Sequence, residues 1–397
     1  MNIKLSEKNQ KIAPSVTLAI DSKAKQMQAD GINVISFGVG EPDFNTPDNI
    51  KQAAIEAMDK GITRYTAASG LPKFREAVCY KLKEDNGLDY TPDQIVVSNG
   101  AKQSLFNALQ AVCNPGDEVI IPVPYWVSYV ELVKMADAVP VFVESTEANE
   151  FKMQKNDLLA AITPKTKALM LNSPSNPTGS LYTYEELEAI AEVAIEHNII
   201  IISDEIYEKL VYDGAEHISI ASINEKIKDQ TIIINGMSKA YAMTGWRIGY
   251  TASNSTIAKI MGNYQSHATS HPNTIAQYAS IEALTGDNSS VENMRLAFDE
   301  RRKYMVERIN EIDNISCITP KGAFYVMMNI SKLIGKEIKG KVMTGSMDVA
   351  DVILEHGNVA VVPGIAFGVD QFVRLSYANS MENIKEGLDR IEAVINE

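Results

Sequence analysis

Short apolar runs alternate with longer helical patterns over residues 46–285, and that alternation restricts the chain to few folds. A strand followed by a helix and then by another strand builds a mainly parallel sheet with helices on both faces. Strands are expected over 94–97, 118–121, 139–143, 168–171, 199–203 and 231–234, with helices over 101–113 and 184–197 between them. Thr231-Ile232-Ile233-Ile234 is the plainest case, because four β-branched residues in a row suit a buried strand. After Gly286-Asp287-Asn288 the pattern changes to a long charged helix candidate through Arg308, then short strands near 323–327 and 359–362. The fold class is therefore α/β: a large domain over 46–285, and a smaller α+β domain made of 286–397 and the returning residues 1–45.

A chain of 397 residues with 45% hydrophobic content can bury two closely packed cores. Its net charge of −14 argues against nucleic acid or an anionic membrane as partner. No apolar stretch approaches the length of a membrane span, and Met1-Asn2-Ile3-Lys4 leads into polar residues rather than a signal-peptide core. Cys79, Cys113 and Cys317 are widely separated, which fits a reducing cytoplasm better than a disulfide framework. His267 and His271 have helical i,i+4 spacing, but Pro272 follows directly, and they read as polar loop residues near a pocket; no metal site is expected.

In sheets of this type ligands bind beyond the carboxyl ends of the strands. The 231–234 strand ends in Asn235-Gly236-Met237-Ser238-Lys239, and Arg247 follows eight residues after the lysine. A lysine there is either a solvated surface residue or a desolvated amine of lowered pKa, able to form a Schiff base with an aldehyde while Arg247 holds an anion beside it. Asp204 stands just past the 199–203 strand, with Tyr207 three residues on. It reads either as a partner for a protonated heterocyclic nitrogen or as a helix N-terminal aspartate placed by the dipole. Ser98-Asn99-Gly100-Ala101-Lys102 is a strand end, a glycine turn and a helix start whose free N–H groups suit a phosphate. It lacks both the Walker pattern and the dinucleotide glycine fingerprint. Asn176 lies in a loop punctuated by Pro174, Pro177 and Gly179. Trp126 either stacks on a flat ring or packs in the core, and Arg374 offers a guanidinium that matches a carboxylate.

The segment Ser238-Lys239-Ala240-Tyr241-Ala242-Met243-Thr244-Gly245-Trp246-Arg247-Ile248-Gly249 resembles the cofactor-lysine signature of class I aminotransferases, which are pyridoxal 5'-phosphate (PLP) enzymes of the aspartate aminotransferase fold. The resemblance runs from about Pro14 to the C-terminus with the motifs in the same order, and points to the bacterial-type aspartate aminotransferase branch. It implies fold type I with a mainly parallel seven-stranded sheet. It implies that Lys239 holds PLP and moves the substrate proton, that Asp204 faces the ring nitrogen, and that Tyr207 and Asn176 donate to the ring oxygen. Gly100, Ala101, Lys102, Ser238 and Arg247 would form the phosphate cup, and Trp126 would stack on the ring. Arg374 would take the substrate α-carboxylate, with Gly40 of Gly38-Val39-Gly40-Glu41-Pro42 approaching the substrate. Tyr65 of Thr63-Arg64-Tyr65 would reach the cofactor of a neighbouring subunit in a homodimer with shared active sites; the alternative is a tyrosine packed within its own subunit. Lys102 would reach the distal carboxylate of aspartate, or else be a solvated helix residue, and Thr17 of Pro14-Ser15-Val16-Thr17 would face the substrate.

The implied reaction is transamination between aspartate, or a similar amino acid, and 2-oxoglutarate, giving oxaloacetate and glutamate. Relatives that use aromatic amino acids, prephenate or alanine are alternatives. So are the carbon–sulfur lyases of the same fold. A regulator using the fold as an effector sensor would carry a DNA-binding module in front of a pattern that here begins by about Pro14, so that reading is not favoured.

Overall fold

Seven strands form one sheet: β1 (Ile95–Ser98), β2 (Glu118–Val123), β3 (Val139–Glu144), β4 (Thr166–Asn172), β5 (Ile200–Asp204), β6 (Thr231–Gly236) and β7 (Gly249–Ala252). Their spatial order is β1-β7-β6-β5-β4-β2-β3. The computed structural model describes residues 3–14, 16–38 and 40–396. Ser15 and Val39, each part of a motif quoted above, lie outside the described residues, as do Met1, Asn2 and Glu397.

All pairings among β2 to β6 are parallel, whereas β7 runs antiparallel to both its neighbours, β6 and β1. The six strands expected from sequence are present, with no end moved by more than two residues. β7 was not among them. Its four residues, Gly-Tyr-Thr-Ala, carry no apolar run, and they become a strand because β1 and β6 supply hydrogen-bonding edges on either side. The turn from β6 to β7 contains no crossover helix, so the chain returns antiparallel.

β6 is buried at every position, and side chains on successive residues leave opposite faces of a sheet. Ile233 joins a core with Phe74 and Val78 on one face. Ile232 and Ile234 join a different core on the other, with Leu105 and Leu109 of helix α1 (Ala101–Val112). Helix α2 (Ser128–Met135) adds Leu132 and Val133 to that second core. Helix α3 (Tyr184–Glu196) starts at a capping box in which Thr183 and Glu186 satisfy each other's backbone N–H groups.

The expected charged helix is α4 (Ser289–Glu311), one turn longer than the sequence suggested. Beyond it a three-stranded antiparallel sheet has the order β9 (Val362–Pro363), β10 (Phe372–Ser376), β8 (Tyr325–Asn329). Two expectations are corrected here. The strand placed at 323–327 begins only at Tyr325, because Ala323 has φ +59°, a left-handed conformation outside the β region. The strand placed at 359–362 is split at Val361: Val359–Ala360 pairs in parallel with Ile35–Ser36, and β9 pairs with β10. Each half follows a different partner. Phe37 then bonds to Ala360 and Ser376 through its backbone, which carries Gly38 and Gly40 to the carboxyl ends of the large sheet. Among the described residues, no helix is long and apolar enough to cross a membrane.

Candidate active site

A cavity of about 480 Å³ opens where β1, β4, β5 and β6 end, and Gly38, Gly40 and Arg374 close its other side. Lys239 lies three residues past the end of β6, with its ammonium donating to the carbonyl oxygen of Gly40. Burial pulls its pKa down to about 8; Glu41 opposes this, while the charges of Arg374 and Arg247 add to it. Of the two readings of this lysine, the desolvated amine is the one that holds.

Asp204 is the last residue of β5 and is buried. Its Oδ2 accepts from the Tyr129 hydroxyl at 2.7 Å and its Oδ1 from the Ile206 N–H at 3.3 Å. Burial pushes its pKa up to about 6 against these hydrogen bonds. A run of turns follows Asp204, and no helix starts there, so the helix-dipole alternative fails. Tyr207, one turn on, holds its hydroxyl 3.1 Å from that of Tyr325.

The anion cup is built by two glycines. Gly100 has φ +85° at the N-cap of α1, a conformation open to glycine, and a Cβ there would run into the Arg247 guanidinium. A Cβ on Gly249 would run into the backbone of Gly100 and Ala101. Arg247 therefore packs directly beside the free N–H groups of the first turn of α1. It is held by Nη1 donating to Thr244 O at 2.8 Å and Nη2 to Asn99 O at 3.4 Å. Guanidinium, helix N-terminus and the buried Ser238 converge as an anion site requires.

Trp126 precedes α2, lines the cavity and stands edge-on to Tyr129, ring centres 5.4 Å apart. The Lys102 ammonium lies 4.9 Å over the Trp126 ring. The Lys102 side chain as a whole is exposed, but its charged end faces the cavity, where burial and then the Arg247 charge hold its pKa below the ordinary value.

Arg374, on β10, is buried. Its Nη1 donates to Asn176 Oδ1 at 2.9 Å and its Nη2 to Gly38 O at 3.0 Å. Nε is buried without a partner, and no described carboxylate pairs with the guanidinium. A buried cation without a counter-ion is costly, and an anionic ligand would relieve that cost. Because Asn176 Oδ1 is committed to Arg374, its amide NH₂ is the group left to donate into the cavity.

Eleven of the thirteen site residues expected from sequence line this cavity: Lys239, Asp204, Tyr207, Gly40, Ala101, Lys102, Trp126, Asn176, Ser238, Arg247 and Arg374; so does Thr17. Gly100 borders it through Arg247. Tyr65 does not reach it: it is 92% exposed, edge-on to His271 at 5.6 Å. Within its own chain the Tyr65 ring has this edge contact to His271 and is otherwise open to solvent. Sequence reasoning missed Tyr129, Asn172 and Tyr325. Tyr129 stands one helical turn after Trp126, a spacing that pointed to a shared face. Asn172 ties the Asn176 loop down, accepting from the Asn176 N–H and donating to Asp204 O, both at 2.8 Å. Tyr325 carried no local signal. Among the described residues Glu205, Glu208 and His217 form a buried cluster, but the Lys81 ammonium already pairs with Glu208, and the Ser203 and Ser219 hydroxyls donate to Glu205.

The model of the family "aminotransferase class I and II" matches residues 32–391. The aspartate aminotransferase of Bacillus sp. (strain YM-2) is 50% identical, over 98% of this chain and 99% of that protein. The aspartate/prephenate aminotransferase of Cereibacter sphaeroides is 47% identical, over 98% of each chain. The crystal structure of the aspartate aminotransferase from Rhizobium meliloti superposes with a TM-score of 0.96 at 41% identity, covering 100% of this chain and 99% of that one.

Proposed function

The chain belongs to the class I and II aminotransferases, and from that premise we propose that it binds PLP at Lys239 and transfers the amino group of aspartate to 2-oxoglutarate. The observation that carries the reading is one cavity holding a half-buried lysine of lowered pKa, a buried carboxylate and a buried arginine with no counter-ion among the described residues. The donor set fits the cofactor: an amine for its aldehyde, Asp204 for its ring nitrogen, the face of Trp126 for the ring, and the α1 N-terminus with Ser238 and Arg247 for its phosphate. When bound, PLP supplies an electron sink for the pair released at the substrate Cα. Lys239, with a pKa near 8 before the cofactor arrives, is poised to take and return that proton as general base and acid. Asp204 supplies the negative charge that keeps the ring nitrogen protonated. Arg374 binds the α-carboxylate in a fork held by Asn176 and Gly38, which fixes the Cα beside the Lys239 amine.

The test is a screen of amino acids with 2-oxoglutarate. Aspartate consumption that requires the keto acid supports the reading; pyruvate and sulfide release without one would instead assign a carbon–sulfur lyase. Prephenate as an additional acceptor is a second reading, favoured by the aspartate/prephenate relative.

Aspartate preference is assigned to Lys102. Its charged end is at the cavity wall over Trp126, where the far carboxylate of a dicarboxylic substrate would lie. A charge-assisted contact contributes about 1.5–3 kcal/mol, or roughly ten- to two-hundredfold in specificity. Lys102→Ala is expected to lower kcat/KM for aspartate and glutamate by that order and to spare alanine. Equal losses for acidic and neutral substrates would move Lys102 to cofactor binding.

The active unit is proposed to be a homodimer, with Tyr65 completing the partner's phosphate cup. Its exposure on this chain supports that. Mixing Tyr65→Phe with Lys239→Ala chains should form dimers with one site carrying both defects and one carrying neither. Activity no higher than that of Tyr65→Phe alone would argue against sharing. The division into a large domain over 46–285 and a small one over 1–45 and 286–397 belongs to the same reading; the pairing of Ile35–Ser36 with Val359–Ala360 supports it. So does a cytoplasmic setting, in keeping with three free thiols.

A further inference from the structure

Tyr325 has none of the roles proposed above, yet it lies against two side chains that do. It opens β8, and the antiparallel register sets Arg374 opposite Met327 and Ser376 opposite Tyr325. Arg374 and Tyr325 are thus diagonal neighbours on one face, within reach of a long side chain and an aromatic ring. The Arg374 guanidinium carbon lies 4.3 Å from the Tyr325 ring centre. At the far end of the same ring, the hydroxyl is 3.1 Å from that of Tyr207, with the two ring planes at 81°. All three residues are buried. Gly40 leaves room for the hydroxyl, since a Cβ there would stand 3.0 Å from Tyr325 Oη.

Two hydroxyls share one hydrogen bond, so one of their protons remains for use elsewhere. Burial raises the pKa of both phenols, and both keep their protons at neutral pH. With Tyr207 as donor, only its oxygen would face the cavity. With Tyr325 as donor, the Tyr207 proton is free to point into it. We propose that Tyr325 is a positioning residue of this active site, whose ring holds Arg374 in place for the substrate carboxylate and whose hydroxyl donates to Tyr207 so that the Tyr207 proton is aimed at the cofactor ring oxygen. The proposal rests on the PLP reading given above. One side chain then joins the substrate clamp to the cofactor contact.

Wild-type holoenzyme must first show cofactor absorbance and keto-acid-dependent amine transfer; failure of either overturns the PLP reading and this proposal with it. The remaining measurements bear on Tyr325 alone. Tyr325→Phe keeps the ring and removes the hydroxyl. Its affinity for succinate, a non-reacting dicarboxylate, is expected to stay within about twofold of wild type, because the ring still supports Arg374. The pKa read from cofactor absorbance is expected to rise by the equivalent of a roughly three- to tenfold change in proton affinity, the effect of one hydrogen bond. In a Tyr207→Phe background the same substitution should add no further shift, because the hydroxyl acts through Tyr207. Tyr325→Leu, which removes the ring as well, should weaken succinate binding by roughly ten- to thirtyfold. A Tyr325→Phe holoenzyme that titrates like wild type, or that shifts equally with and without the Tyr207 hydroxyl, overturns the proposal. So does Tyr325→Phe weakening succinate as much as Tyr325→Leu does.

Discussion

Lys239→Ala is expected to abolish transamination while leaving the fold intact. The ammonium donates to the Gly40 carbonyl and lies 5.9 and 5.7 Å from the ring centres of Tyr207 and Phe324, at the cavity wall, so its removal leaves the strands in place but deletes the amine proposed to move the Cα proton. A variant retaining a tenth of wild-type turnover would remove Lys239 from that role. The same residue gives the cofactor-free protein a pH signature. Its folded pKa of about 8 lies below the ordinary 10.5. Between those values the unfolded chain binds more protons than the folded one, so this lysine makes stability rise as pH goes from about 8 to 10.5. Below pH 8 burying the charge costs stability by a constant amount. Urea unfolding of both cofactor-free proteins at pH 7 and pH 10 checks the sign: relative to wild type, Lys239→Ala should fare better at pH 7 than at pH 10. A difference between the two proteins that does not change with pH would contradict the desolvated, depressed amine.

Asp204→Asn should reduce the rate more than a hundredfold, because a neutral amide no longer keeps the ring nitrogen protonated. Charge stabilisation of this kind is worth roughly 3–4 kcal/mol in the transition state. Asp204→Glu should recover only part of the loss, since the longer side chain moves the carboxylate away from the Tyr129 hydroxyl that orients it. Near-normal kinetics for Asp204→Asn with intact cofactor absorbance would sink the assignment. Without cofactor the sign is reversed. The folded pKa of about 6 exceeds the ordinary 3.8, so the folded chain binds more protons in that interval and stability falls as pH rises through it. Above pH 6 the buried charge is a standing cost. Asp204→Asn removes it, and the cofactor-free variant should be no less stable than wild type at pH 7 by thermal unfolding. Residues that cost stability and carry function are what an active site built for a charged ligand requires.

Much of this molecule is written locally. The continuous β-branched run of β6 specifies a buried strand wherever it lies, because its side chains must be covered on both faces. Placing Lys239 a few residues past that strand, and Gly100 between β1 and α1, puts both at the sheet's carboxyl edge, since a loop of a few residues cannot leave it. Six strands of the large sheet and the placement of Lys239 and Asp204 at strand ends were therefore legible from order and periodicity, whereas Asn176 was singled out by the family resemblance.

What stayed hidden depends on contacts between distant segments. β7 is a strand only because β1 and β6 lie on either side of it, and Ala323 leaves the strand pattern through a backbone conformation that no residue type announces. Tyr129 meets Asp204 across 75 residues and Arg374 meets Asn176 across 198. Tyr325 comes under Arg374 through the register of two strands that the sequence does not align. The sequence by itself determined six strands of the large sheet, the helices α1 and α3 between them and which side chains sit at those strand ends, because these follow from periodicity and short-range geometry. The tertiary structure alone decided which of these side chains share hydrogen bonds, lose their solvent and shift their pKa values, because strand order and register bring together residues that no local pattern relates.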